Sequence, residues 1–155
     1  MTDTEKIKLK KDLKQFACDI LLDRIKSSKI AMEEAQLAAN EEGKSSVGDK
    51  YETSRAMSQI ERDIHAKQLE SAQRELNIIQ QTDVSLFHNH VEQGSIVISG
   101  NEKYFFLSGL GPKETPMGKI FFLSITSPLG KLFSGKRAGE KIKFDSREIA
   151  IENLF

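Results

Sequence analysis

The chain has 155 residues, with 23 basic and 23 acidic side chains, 38% apolar and 30% charged content. That size suits one ordinary domain or two small ones, and zero net charge excludes a surface that attracts nucleic acid or anionic lipid as a whole. No apolar run nears the roughly 18 residues needed to span a bilayer, and the opening MTDTEKIKLKK lacks the apolar core of a secretory signal, so a soluble cytoplasmic protein is expected.

From Lys8 to Ala39 the residues Leu9, Leu13, Phe16, Ile20, Ile25, Ile30 and Leu37/Ala38 follow, roughly, a three-and-four spacing with no proline or glycine, which predicts one long helix. The single cysteine, Cys18, has no partner for a disulfide or a CxxC metal site and reads as a small residue on a helix face in a reducing compartment. From Asp49 onward the rhythm returns in Tyr51, Met57, Ile60, Ile64, Leu69, Leu76 and Ile79 and predicts a second helix. Narrow apolar stripes on otherwise charged helices point to an antiparallel hairpin over residues 1–80. With roughly 35 residues per arm at about 1.5 Å each, it would project on the order of 50 Å. The stretch EEGKSSVGDKYE lies between the arms and reads as the tip, residues 41–50, with Gly43 and Gly48 turning the chain and Asp49 capping the second helix.

After Thr82 the period changes. SIVI (Ser95 to Ile98), KYFFL (Lys103 to Leu107), KIFFLSI (Lys119 to Ile125), KIKF (Lys141 to Phe144) and EIAIENL (Glu148 to Leu154) are short, β-branched or aromatic runs. They predict a small antiparallel sheet, with SGNEK and FDSRE as hairpin turns. SPLGKLFSGK reads as a short helix packed on the sheet through Leu129, Leu132 and Phe133. The fold class is therefore α+β, a helical hairpin followed by a second domain over 81–155, with the boundary between Gln81 and Phe87.

Few residues suggest chemistry of their own. GKLFSGKR, Gly130 to Arg137, approaches the phosphate-loop pattern, but Arg137 stands where a Ser or Thr must hold Mg²⁺ and only about 18 residues follow it. Gly109 and Gly111 follow a strand but are succeeded by Pro112, without the third glycine of a dinucleotide fingerprint. His88 and His90 fall on one side of an extended segment and with Asp83 or Glu92 offer metal ligands, the alternative being a solvated linker. His65 has no partner at helical spacing, and no GxSxG elbow or Ser-His-Asp set is present, so no covalent enzyme is indicated. At the tip, Glu41, Glu42, Asp49 and Glu52 cluster, and neighbouring carboxylates can ligate Mg²⁺; a solvated turn is the plain alternative.

The C-terminal string Ser127 to Phe144, SPLGKLFSGKRAGEKIKF, resembles the signature of the Gre family of bacterial transcription elongation factors, carried here by Ser127, Pro128, Leu129, Gly130, Gly135, Lys136, Gly139 and Glu140. Gly43 and Tyr51 stand at the separation of the glycine and tyrosine that frame that family's tip loop. The resemblance implies an FKBP-like C-terminal domain that docks through the Ser127–Lys136 region on the rim of the secondary channel of RNA polymerase. It also implies a hairpin whose tip, Gly43, Lys44, Ser45, Ser46, Val47, Gly48, Asp49 and Tyr51, reaches the polymerase active site. In that family two tip acids help to hold a second Mg²⁺ and a water, so that the polymerase hydrolyses backtracked RNA. Here Lys44 and Val47 occupy the positions of those acids, and neither can ligate Mg²⁺. The expectation is thus a channel-binding regulator that is not itself an enzyme, has no cofactor beyond the polymerase's own Mg²⁺, and brings Lys44 to an active-site carboxylate or a phosphate near the RNA 3′ end. Two alternatives stand beside it: a cleavage factor that uses Asp49 and Glu42, and an FKBP-like folding helper.

Overall fold

The computed structural model describes the backbone of residues 1–42 and 48–155 and the side chains of residues 1–41 and 52–155. Helix α1 runs Asp3–Glu42 and α2 runs Gly48–Gln81. A capping box starts α1: Thr2 Oγ1 accepts from the Glu5 backbone N–H at 3.2 Å, and the Glu5 carboxylate accepts from the Thr2 N–H at 2.7 Å. The Thr2 backbone N–H, and after it the Thr2 hydroxyl, hold the Glu5 carboxyl below its ordinary pKa. Helix α2 begins at Gly48, with Asp49 as its second residue.

The chain divides into two compact units, a hairpin unit of Asp19–Leu76 and a sheet unit of Met1–Cys18 with Asn77–Phe155. In the hairpin unit α1 and α2 pack as a hairpin. Shielded positions on α1 are Leu21, Ile25, Ser28, Met32, Ala35 and Ala39, and on α2 Ser58, Arg62, His65, Leu69, Ala72 and Leu76. Both sets alternate steps of four and three, the coiled-coil interval. This seam differs from the stripe expected from sequence. Leu37 is 61% exposed, and Ile30, Met57, Ile60 and Ile64 also face solvent. The reason lies in the step of five from Ile64 to Leu69, which carries the stripe about 140° around the helix.

The sheet unit holds β1 (Ile96–Ser99), β2 (Glu102–Phe106), β3 (Gly111–Thr115), β4 (Gly118–Leu123), helix α3 (Pro128–Phe133), β5 (Lys141–Phe144), β6 (Arg147–Ala150) and β7 (Asn153–Leu154). Five strands form one sheet in the order β3-β4-β2-β1-β7, and β5 and β6 form a separate ribbon. The two expected hairpin turns are present. Gly100 has φ 57°, and Asp145 and Ser146 take φ 49° and 63°, the left-handed pair that a two-residue hairpin loop requires.

Three features depart from the sequence reading. GPKET forms β3, EIAIENL divides into β6 and β7 in different sheets, and β2 pairs with β4 in parallel although every other pair is antiparallel. The β3–β4 hairpin folds back so that apolar β4 lies beside β2, leaving the polar, proline-bearing β3 at the edge.

Alternating side chains give both sheet faces a core. On one, Phe105 and Phe122 are fully buried, and Phe16 of α1 stacks on Phe122 at 6.2 Å. On the other, Val97, Tyr104 and Phe106 pack with Phe133 of α3 and with Ile142, Ile149 and Ile151. Burial of Phe133 alone is worth on the order of 2–3 kcal/mol. Leu129 is partly buried against this cluster, but Leu132, expected to pack inward, is 41% exposed. No described helix is long and apolar enough to cross a membrane.

Candidate functional site

The signature string is built around α3. Ser127 adopts an extended conformation and caps the helix: its Oγ accepts from the Gly130 N–H at 3.0 Å and donates to the Ser124 carbonyl at 2.7 Å. Pro128 opens the helix, where its missing N–H costs nothing. A Cβ on Gly130 would lie 2.0 Å from the Ser124 carbonyl oxygen, so only glycine allows this approach of helix to strand end. Gly135, at φ 78°, ends the turn after α3 and donates its N–H to the Val91 carbonyl, while the Lys136 carbonyl accepts from the Val91 N–H. Gly139 donates to the Ile151 carbonyl at 2.7 Å, and the Glu140 carboxylate accepts the Arg137 N–H at 2.6 Å.

These six contacts account for most of the signature as a folding device. They also dispose of the phosphate-loop reading, since Gly130 lies inside a helix and Gly135 just beyond it. Pro128, Lys131, Leu132 and Arg137 are exposed, and Leu129 and Lys136 are half-buried.

At the tip, Gly43, Lys44, Ser45, Ser46 and Val47 lie outside the described residues, as do the side chains of Glu42, Asp49 and Tyr51, while Gly48 is described as the first residue of α2. The backbone places Glu42 at the end of α1 and Asp49 and Tyr51 in the first turn of α2.

Sequence reasoning missed a lysine cluster at the start of α1. Lys10 is in phase with Leu13 and Ala17 and is wholly buried. Its ammonium donates to the Leu86 carbonyl at 2.8 Å and lies 5.8 Å from the centre of the Phe155 ring, with Lys6 at 5.4 Å from the same ring. Burial pushes the Lys10 pKa down to about 8, opposed by the charges of Asp83 and Glu92. Lys14 donates to the carbonyls of Gln80 and Thr82 at 3.2 and 2.8 Å. It thereby supplies a cation to the end of α2, whose last turn has no basic residue of its own. The signal was present in the sequence, as lysines at helical spacing on the apolar face.

The histidine pair is brought together by a carboxylate. His88 Nδ1 lies 2.6 Å from Glu92 Oε1, and His90 Nε2 lies 3.4 Å from Glu92 Oε2. The bond from His88, with smaller help from His90, holds the Glu92 carboxyl below its usual range. Among the described residues no group of three His, Cys, Asp or Glu side chains has metal-binding geometry.

On β2, Glu102 accepts from the Tyr104 hydroxyl at 2.6 Å and from the Arg147 guanidinium. Arg147 first and Tyr104 second lower the Glu102 pKa, while burial and then Glu102 raise that of Tyr104. The Tyr104 ring packs on Phe121 and Phe133 at 5.1 and 5.4 Å, so the aromatic side chains fill a core where a substrate pocket would need open space. Two shallow grooves are present among the described residues, one lined by Met32, Glu33, Gln36, Leu37 and Arg62 and the other by Ile78, Gln81, Thr82, Asp83, Leu86 and Gln93. Comparison with known protein families finds no matching family, and comparison with curated proteins finds no relative.

Proposed function

We propose that this chain is a cytoplasmic regulator of transcription elongation that binds RNA polymerase at its secondary channel and has no catalytic centre of its own. The observation that carries the reading is the Gre-like string Ser127 to Phe144, preceded by a helical hairpin in the order that family has. Cap, helix-opening proline, close-approach glycine and left-handed glycine each do work in this chain that another residue would do badly, which supports reading the string as one inherited unit. The sheet unit would dock on the polymerase, with the exposed side chains around α3 as the contact. The hairpin tip would occupy the channel, with Lys44, Ser45 and Ser46 in place of the family's acid pair, and so would block or compete more than cleave.

The folding-helper alternative is weakened by the packed state of the aromatic side chains, since Phe105, Phe106, Phe122 and Phe133 are fully buried. The deciding experiment measures binding to core RNA polymerase at micromolar concentration, followed by RNA cleavage in a stalled, backtracked complex with a known cleavage factor as competitor. Binding with suppression of the competitor is expected. Absence of binding refutes the proposal. Faster cleavage by the protein alone, lost in Asp49→Ala, would transfer the role to Asp49 and Glu42.

A further inference from the structure

Of the two edge strands of the five-stranded sheet, β3 carries Pro112, which has no N–H to offer, and β7 has only two residues. The ribbon differs, because β5 pairs with β6 alone and its other edge is bare. Which groups that edge presents follows from the register. Phe144 stands opposite Arg147 across the two-residue loop Asp145-Ser146, so Phe144 and Ile142 direct their N–H and C=O groups toward β6. The same parity holds at the far end, where the Glu140 carbonyl accepts from the Ile151 N–H at 2.8 Å. The alternate residues, Lys141 and Lys143, therefore point their backbone groups outward, and no other described strand or loop bonds to them there.

N–H and C=O groups in that alternation match one ligand chemistry, the backbone of another extended chain. The side chains say what kind. Ile142 is buried and Phe144 half-buried on one face, while Lys141 and Lys143 are exposed on the other. Glu148 of β6 pairs with Lys141 at 3.0 Å, which leaves the Lys143 ammonium without an acidic partner among the described residues. Glu140, just before the strand, has its carboxylate on the Arg137 N–H. A second copy of this edge would set lysine against lysine, which repels. A strand with acidic side chains opposite Lys141 and Lys143 and an apolar one between them, beside Ile142, suits both faces. We propose that the outer edge of β5 binds an extended segment of a partner protein, of the pattern acidic-apolar-acidic, as a third strand of the ribbon. This edge is bare whether or not the chain binds RNA polymerase.

The test uses the full ¹⁵N-labelled chain and two synthetic peptides of about eight residues, one alternating Glu with Val and the other Lys with Val, long enough to run past both lysines. The Glu peptide is expected to shift the amide resonances of Lys141 and Lys143 and slow their hydrogen exchange, leaving the amides of Lys113 and Glu114 on the β3 edge in place. Lys143→Pro removes one outward N–H without touching a bond to β6, and should weaken binding by more than about tenfold. If that variant does not fold, Lys143→Glu replaces it and should lose the Glu peptide and gain the Lys peptide. The proposal is overturned if the Lys141 and Lys143 amides do not respond, if both peptides bind the wild type equally well, or if the folded Lys143 variant binds the Glu peptide as the wild type does. It is also overturned if sedimentation finds concentration-dependent self-association that the variant abolishes, in which case the third strand comes from a second copy of this chain.

Discussion

Lys10→Met keeps the buried side-chain stem and removes only the ammonium, so it isolates the cost of holding a charge at the start of α1. The folded-state pKa of about 8 stands against an ordinary value of 10.5. The difference of 2.5 units would correspond to about 3.4 kcal/mol at 1.36 kcal/mol per unit. Buried sites in proteins respond as a medium more polar than their packing suggests, which argues for roughly half of that, about 1.5–2 kcal/mol. The sign follows from proton counting. Below pH 8 both states are protonated and the folded protein carries the full cost. Between pH 8 and 10.5 the unfolded chain holds the proton more tightly, so stability rises with pH, and above 10.5 the cost is gone. Urea unfolding followed by circular dichroism from pH 7 to 10.5 should therefore show wild type gaining about 1.5–2 kcal/mol relative to Lys10→Met, the other titrating groups cancelling in the difference. A flat difference curve, together with a Lys10 side chain that titrates at the ordinary lysine value by NMR, would refute the reasoning.

Gly130→Ala forces a methyl group to within 2.0 Å of the Ser124 carbonyl oxygen and should destabilise the sheet unit by about 3 kcal/mol or more, read as a large fall in Tm or loss of folded protein on expression. Ser127→Ala removes the α3 cap and should cost about 1 kcal/mol in urea unfolding at pH 7. Ser146→Gly relieves a left-handed backbone at φ 63° and should raise stability by about 0.5–1 kcal/mol, visible as a higher urea midpoint with an unchanged slope.

Strong local signals made much of the fold legible in the sequence. The change of period after Thr82, the glycine and Asp-Ser turns and the short helix in SPLGKLFSGK all follow from residue chemistry within a few positions. What depends on distant partners was not legible. The strand β3 is polar and begins Gly-Pro, so only its pairing with β4 makes it a strand. The phase of α2 could not be read because Met57–Ile64 and Leu69–Ile79 form two stripes, and the chain alone does not say which one meets α1. The site divides in the same way. The signature around α3 was visible as a string, whereas the structural task of each of its residues, and the lysine contacts of α1 with residues some 70 positions away, appear only in three dimensions.

The sheet unit is assembled from segments separated by the whole of Asp19–Leu76, and this has a consequence for its synthesis. Phe16 waits for Phe122, and Lys6 and Lys10 wait for Phe155, almost the full length of the chain later. The hairpin, by contrast, needs only the contacts within Asp19–Leu76 and can form while the rest is still on the ribosome. The opening helical turns therefore emerge with an apolar face and no partner, and their docking is the slow, late step that loop-closure entropy imposes on distant contacts.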